Sequence, residues 1–221
     1  MLQFYYHPLS PLARRVWIAL LEKQLDFEPI LVNLDRGEQL KPEYLKLNPF
    51  HHVPLLIDGD LRIIESLAIL DYLEFKYPEV SLLPNDSETL AKVKMAQMVT
   101  NSELGSLVVP LVFNDAKTVK LARVKRNLKR VIRFLDELLG DELYFGGSQF
   151  TIGDIVAGNG LILCGKLGFE LEQFPKINAY CQRLLNREAW QTSQPDREQI
   201  IVWKEVVKTL LQKNKSENLA N

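Results

Sequence analysis

The sequence is short of cysteine, and this shortage excludes several kinds of protein. Its 221 residues include only Cys164 and Cys181, which are too few for a disulfide framework and too isolated for a zinc site built on cysteine pairs. Two separate cysteines are typical of a reducing compartment. We therefore expect a cytoplasmic protein.

The chain also lacks an excess of charge of one sign and any long apolar run. Its formal net charge is −1, which gives no reason to expect nucleic acid or an acidic lipid surface as a partner. No apolar stretch approaches the about 20 residues that span a bilayer, and no basic segment followed by an apolar one suggests a signal peptide. We expect neither a membrane nor a nucleic acid among its partners.

What the first 77 residues do contain is an alternation of strand-like and helix-like segments. Apolar runs predict strands at 2–6, 27–34, 53–57 and 61–64, and Asp58-Gly59 predicts a hairpin between the last two. Helical spacing predicts helices after Ser10, at 41–47 and from Ser66 to about residue 77. Residues 1–80 are thus predicted to form an α/β domain with the order βαβαββα.

The rest of the chain has a helical pattern. A polar stretch at 81–87 is the predicted linker, and Pro110 is expected to kink or end the first helix after it. Residues 88–221 are predicted to form an all-α domain, with helices at 88–114, 117–139, 151–166, 175–187 and 196–213.

Two features of the helical part have a plain structural interpretation. The seven basic residues between Lys120 and Arg133 alternate with apolar ones and indicate a solvated helix face; a phosphate-binding stripe is the alternative. Thr151 and Asp154 have the spacing of a capping box, in which the carboxylate accepts from the backbone N–H at the cap. We expect this pair to act in folding and not in catalysis.

Ser10 stands where the first strand runs into the first helix. Serine is a favoured N-cap and Pro11 a favoured first helical residue. The exposed amides, the positive end of the helix dipole and the hydroxyl meet there, so the segment could hold an anion such as a thiolate. From these residues alone, a plain N-cap is the favoured explanation of Ser10.

Several motifs, in this order and spacing, resemble those of cytosolic glutathione S-transferases. They are Ser10 four residues before Arg14, Gly37 to Tyr44, Asn48 to Pro54, Glu65 to Leu70, and the box from Thr151 to Asp154. The resemblance covers essentially the whole chain and is greatest to the serine-type classes, delta and theta, and to the bacterial, cyanobacterial chi class. It implies a thioredoxin-like N-terminal domain that binds glutathione, followed by an all-helical domain.

The chemistry that the resemblance implies concerns the thiol of glutathione, since Ser10 and Ala13 replace the cysteines of thioredoxin. A free thiol is only roughly 3% thiolate at pH 7, and lowering its pKa by about two units requires roughly 2.7 kcal/mol. One hydrogen bond to the sulfur and a helix N-terminus could supply this without a metal. Ser10 would be the donor, Tyr6 is the alternative because tyrosine-type classes place a phenol at this strand end, and Arg14 would support the site electrostatically.

The resemblance also implies which residues bind the peptide. Val53 would pair its backbone with the cysteinyl residue, and Pro54 would be cis. Glu65 would pair with the glutamyl ammonium, while Ser66 and the start of its helix would bind the glutamyl carboxylate. Without the resemblance, helix capping explains these last two residues equally well. The glycyl carboxylate would be reached by Gln39, His51 and His52.

The function that the resemblance implies is conjugation of glutathione to small hydrophobic electrophiles, in detoxification or stress defence. Glutathione-dependent peroxidase, isomerase or dehalogenase activity is an alternative, and so is a non-catalytic interaction module. A homodimer is expected, with one subunit's first domain against the other's helices. The electrophile pocket would be lined by the first helix, by residues 101–113 and by Trp203.

Overall fold

The computed structural model describes the backbone of residues 1–113 and 119–220 and the side chains of 1–112 and 120–209. The N-terminal part has the predicted element order. Its strands are β1 (Leu2–Tyr6), β2 (Phe27–Leu31), β3 (Leu55–Asp58) and β4 (Leu61–Ile64). Its helices are α1 (Pro11–Glu22), α2 (Pro42–Leu45) and α3 (Ser66–Lys76).

The four strands form one mixed sheet in the order β2-β1-β3-β4. β1 and β2 are parallel, as a strand–helix–strand unit requires, and β3 is antiparallel to both β1 and β4. Phe4 of β1 and Leu55 of β3 are fully buried. α1 and α3 pack against each other, and Ile18 and Leu70 are also without exposed surface. The predicted thioredoxin-like arrangement is confirmed.

The C-terminal part is helical. Its elements are α4 (Ser87–Val99), a π turn (Thr100–Leu104), α5 (Gly105–Val108), a 3₁₀ turn (Val109–Phe113), α6 (Val119–Leu139), α7 (Ile152–Lys166), α8 (Pro175–Leu185), α9 (Glu188–Ser193) and α10 (Arg197–Ala220). Among the described residues, no helix combines the length and the apolar character needed to cross a bilayer.

Several predicted boundaries differ from the structure. The strand predicted at 27–34 ends at Leu31, because Asn33 accepts the backbone N–H of Arg36 and starts a 3₁₀ turn. The helix predicted at 88–114 changes to a π turn at Thr100 and to a 3₁₀ turn at Val109, beside Pro110. Residues 114, 117 and 118 of the predicted helices lie outside the described residues.

α7 is the buried axis of the helical part, with every residue from Ile152 to Cys164 buried. The Asp154 carboxylate at its start accepts the predicted bond from the Thr151 backbone N–H at 2.7 Å, and further bonds from the Thr151 hydroxyl and the Phe145 N–H. The Tyr180 hydroxyl donates to the same carboxylate at 3.1 Å. Asp154 therefore joins α7 to α8 and to the segment before α7.

α1 is shared by both parts of the fold, since it packs against α3 on the sheet side and against α7 and α9. Its last residue, Glu22, forms a two-point ion pair with Arg187, with N–O distances of 2.6 and 2.7 Å. The next residue, Lys23, is buried and donates to Glu74 of α3 at 2.8 Å. These contacts fix the orientation of α1.

Candidate active site

The strand ends bring the predicted glutathione-binding segments to one edge of the sheet. Leu55 of β3 is in register with Tyr5 of β1 and with Ile64 of β4. Because these pairings are antiparallel, the end of β1, the beginning of β3 and the end of β4 lie side by side. The segments that follow or precede these ends are Ser10 to Arg15, Val53-Pro54 and Glu65-Ser66.

Ser10 is the N-cap of α1. Its hydroxyl oxygen accepts from the Ala13 backbone N–H at 3.2 Å, and its own backbone N–H donates to the His7 carbonyl at 2.9 Å. The side chain is half-buried and lines a cavity. Since the cap bond uses a lone pair of the oxygen, the hydroxyl hydrogen remains available for a second partner.

Tyr6, the alternative donor, is placed differently. Its ring stacks on Phe4 and meets Trp17 edge-on, both at centroid distances of 5.2 Å. Tyr6 does not line the cavity that Ser10 lines. Its aromatic packing on Phe4 and Trp17 is a structural explanation for a tyrosine at this strand end.

The loop before β3 is held in a fixed shape. The His52 carbonyl accepts from the Tyr44 hydroxyl at 2.7 Å and from the Asn48 side-chain amide at 2.8 Å. The Val53-Pro54 peptide bond is cis, as the resemblance implied. Within the described residues no hydrogen bond to the Val53 amide or carbonyl is found, so both groups are available for a strand-like pairing with a peptide.

The start of α3 has the properties expected of a carboxylate site. Glu65 has a φ of 69°, a left-handed conformation that is strained for a residue with a Cβ and is typical of functional sites. No side chain caps the first turn of α3, so its amides are free to bind an anion. Ser66 is buried, and its hydroxyl accepts from Arg15 at 3.3 Å.

Of the three residues predicted for the glycyl carboxylate, Gln39 lies in a 3₁₀ turn (Glu38–Leu40), whereas His51 and His52 lie on the loop before β3. Gln39 is half-buried, and its amide nitrogen donates to the Leu34 carbonyl at 3.4 Å. His51 and His52 are exposed and meet edge to face at a centroid distance of 5.0 Å. Both imidazoles stand immediately before the cis proline, on the loop whose shape Tyr44 fixes.

The cavity beside Ser10 has a volume of about 410 Å³ and lies between the two parts of the fold. Its lining comes from α1, from the segment after α4, from α7 and from α10, and comprises Ser10, Pro11, Leu12, Arg15, Thr100, Asn101, Leu104, Gly105, Val108, Val109, Asn159, Gly160, Leu163 and Trp203. The first helix, the segment from Asn101 and Trp203 were predicted to line it. The side chain of Phe113, also predicted, lies outside the described ones.

Arg15, and not Arg14, reaches this cavity. Successive residues of a helix are about 100° apart, so Arg15 lies one turn above Pro11, on the same face, while Arg14 points elsewhere. Arg14 does not line the cavity; burial, and after it the nearby Arg14 charge, lower the pKa of the Lys166 ammonium group. Burial lowers the pKa of both guanidinium groups to about 10, and both remain charged at neutral pH.

Sequence reasoning missed the contribution of α7 to this site. The Asn159 amide nitrogen donates to the Pro11 carbonyl at 2.6 Å and so fixes the first turn of α1. A Cβ at Gly160 would lie 2.9 Å from a methyl group of Thr100, so glycine allows α7 to approach the π turn. A polar residue and a glycine inside an otherwise apolar helix were the signal available.

Comparison with known proteins indicates the same family as the sequence motifs and the fold. Residues 4–81 match the N-terminal domain of glutathione S-transferases and residues 99–188 match their C-terminal domain. Glutathione S-transferase 1 of Dianthus caryophyllus is 36% identical over 187 residues, which cover 80% of this chain and 84% of that protein.

Solved structures have the same fold. A delta-class glutathione transferase of Nilaparvata lugens superimposes with a TM-score of 0.80 at 27% identity, covering 95% of this chain and 99% of that one. A glutathione transferase homologue from Sulfitobacter, solved with bound glutathione, has a TM-score of 0.75 at 25% identity and covers 87% and 96%. A thioredoxin-like domain joined to a helical one, with a cavity between them, defines the class. The chain belongs to the glutathione S-transferase family.

Proposed function

We propose that this protein is a glutathione transferase, which binds reduced glutathione along the strand ends and transfers its sulfur to a small electrophile in the adjoining cavity. The position of Ser10 carries the proposal. Its hydroxyl stands at the N-terminus of α1, lines the cavity and has a hydrogen to donate. The class of enzyme proposed is serine-type, similar to the delta, theta and bacterial chi classes.

The reaction needs little from the protein beyond an ionised sulfur in the right place. Ser10 donates to the sulfur and the α1 amides stabilise its negative charge, so the thiol loses its proton to solvent. The thiolate then forms a carbon–sulfur bond with the electrophile, and the leaving group departs with its bonding electron pair. The mostly apolar cavity wall, including Leu104 and Val108, holds the electrophile and excludes water.

The peptide contacts follow from the same arrangement. Val53 pairs with the cysteinyl residue, and the uncapped start of α3 with Ser66 binds the glutamyl carboxylate. Glu65 binds the glutamyl ammonium. The glycyl carboxylate is assigned to Gln39, His51 and His52.

The other properties that we propose concern the organisation of the protein. Residues 1–80 form the glutathione-binding domain, 81–87 the linker and 88–221 the domain that shapes the cavity. A homodimer is supported by exposed apolar side chains on both domains, Phe50 at 57% and Met98 at 53% exposure. Two buried cysteines without a disulfide support a cytoplasmic location.

Retention on immobilised glutathione and a conjugation rate with a general aromatic halide test the enzyme. Retention and a rate above the uncatalysed reaction are expected. Retention without conjugation would favour a non-catalytic interaction module. Turnover of hydroperoxides, with no thioether formed from the halide, would favour the peroxidase alternative.

Sedimentation at twice the chain mass at micromolar concentration is expected for the dimer, and the monomer mass would contradict it.

A further inference from the structure

Arg15 is a buried cation at the cavity wall, and its partners among the described side chains are neutral. Its side chain is 5% exposed, and its terminal nitrogen donates to Asn101 at 2.8 Å and to Ser66 at 3.3 Å. Its Nε has no hydrogen-bond partner among the described residues, and no carboxylate of those residues pairs with it. A buried charge without a counterion is unfavourable, and it favours any anion that can reach it.

A second unsatisfied donor borders the same cavity. Thr100 is 1% exposed, and its hydroxyl has no hydrogen-bond partner in the described part of the chain. Thr100 lines the cavity together with Asn101, the partner of Arg15. Asn159 also has an unpartnered oxygen there, but as an acceptor it favours a hydroxyl or amide N–H on the ligand.

We propose, on the basis of the proposed transferase function, that the electrophile pocket selects substrates that carry a carboxylate, which pairs with Arg15 and accepts from Thr100. The rest of the cavity wall is mainly apolar, so the preferred substrate is an apolar body with its reactive carbon near Ser10 and its carboxylate near the π turn. A charge-assisted hydrogen bond in a closed site gives the discrimination.

The glutamyl carboxylate of glutathione is the other anion within this region, because Ser66 contacts Arg15 and begins α3. The two assignments differ in what a variant changes. If Arg15 serves glutathione, its removal raises the KM for glutathione and affects all electrophiles equally. If it serves the second substrate, only carboxylated electrophiles lose rate.

The test uses para-carboxybenzyl, para-carbamoylbenzyl and para-methylbenzyl chloride as probes with the full-length protein. For each probe, kcat/KM is divided by the uncatalysed rate constant with glutathione at the same pH, which removes differences in intrinsic reactivity. The carboxylate preference is the ratio of the carboxy value to the methyl value. We expect a preference of about tenfold or more, from one charge-assisted hydrogen bond.

Three variants separate the contributions. Arg15→Gln is expected to lower the preference about tenfold or more. Asn101→Asp keeps Arg15 and gives it an internal counterion of the same shape, so it should lower the preference without disturbing the fold. Thr100→Val removes one neutral donor and should lower the preference by about two- to tenfold. Arg123→Gln, an exposed charge on α6, is the control and should leave it unchanged.

Three results would overturn the inference. If the normalised kcat/KM of the carboxy probe equals that of the methyl probe, or that of the carbamoyl probe, charge is not recognised. A rise in the glutathione KM of Arg15→Gln with an unaltered preference would assign Arg15 to glutathione. If the protein conjugates all three probes without a carboxylate preference, only this inference is contradicted. If it conjugates none of them, the proposed transferase function is contradicted as well.

Discussion

Substitution of Ser10 by alanine tests the proposed thiol site, because the proposed mechanism gives the Ser10 hydroxyl two separable tasks. As an N-cap it accepts from Ala13 at 3.2 Å, and losing such a cap lowers the free energy of unfolding by about 1 kcal/mol. As a donor to the thiolate it contributes about 1.5–3 kcal/mol, which corresponds to about one to two pKa units. Ser10→Ala should therefore raise the pKa of bound glutathione by about that amount.

The assay follows the ultraviolet thiolate band of bound glutathione as a function of pH. Removing the donor raises the thiol pKa, so less thiolate is present at any pH below that pKa. At about two pH units below the wild-type pKa, the thiolate fraction should fall about tenfold or more. Glutathione affinity should change only a few-fold, since the peptide contacts are made elsewhere. Ser10→Thr keeps the hydroxyl and should keep the pKa close to that of the wild type.

A matched control separates the cap from the chemistry. Asp86 caps α4, where its carboxylate accepts from the Thr89 N–H at 2.8 Å, and it does not line the cavity. Asp86→Ala should lower stability by a similar amount, about 1 kcal/mol, without moving the thiol pKa. An unchanged titration in Ser10→Ala, or a shifted one in Tyr6→Phe, would refute the assignment of the donor to Ser10.

Three further predictions concern stability. Asp154→Asn alters a carboxylate that accepts four hydrogen bonds and should lower the free energy of unfolding by about 2–4 kcal/mol in chemical denaturation, given the loss of several buried bonds; a loss below that of Asp86→Ala would contradict it. The Tyr72 and Tyr77 hydroxyls lower the pKa of Asp58, so this carboxylate stabilises the fold above its unfolded pKa. Asp58→Asn should be less stable than the wild type at neutral pH, and the difference should vanish as the pH falls through the lowered folded pKa; a difference that persists in acid would exclude this linkage. Burial raises the pKa of the Cys164 and Cys181 thiols, so thiol reagents should label them only on unfolding, and rapid labelling of the native protein would show that the helical core opens locally.

The strands, the hairpin and most helices could be predicted because their signals are local. Alternation, the Asp58-Gly59 turn and the Ser10-Pro11 cap each depend on residues that are neighbours in sequence. Helix α9 has no such local signal, since the sequence predicts helices at 175–187 and 196–213 and none between them. Arg187 is extended just before α9 and pairs with Glu22, a partner 165 residues away, so only the tertiary structure explains why a second helix begins at Glu188.

The part of the candidate site that lies in the first domain could be predicted from the sequence. The part that depends on contacts between the two domains could not. Ser10, Val53-Pro54 and Glu65-Ser66 follow from motifs and strand ends. Arg15 was not among the predicted site residues, although helical geometry could have indicated it, since the face of α1 that bears Pro11 also bears Arg15. The presence of Thr100 and Asn159 at the cavity could not be predicted from the sequence, because it arises only when the π turn and α7 pack against α1.

α1 carries both the proposed thiol donor, Ser10, and the proposed carboxylate-binding residue, Arg15. The Asn159 bond fixes its first turn, where Ser10 stands, and the Glu22–Arg187 pair fixes its last. Arg15 lies between these two points and contacts both the start of α3 and the π turn. A rotation of α1 that moved the Ser10 hydroxyl would therefore move the guanidinium as well. For this reason the contacts of α1 with the helical domain determine where both the Ser10 hydroxyl and the buried Arg15 charge point.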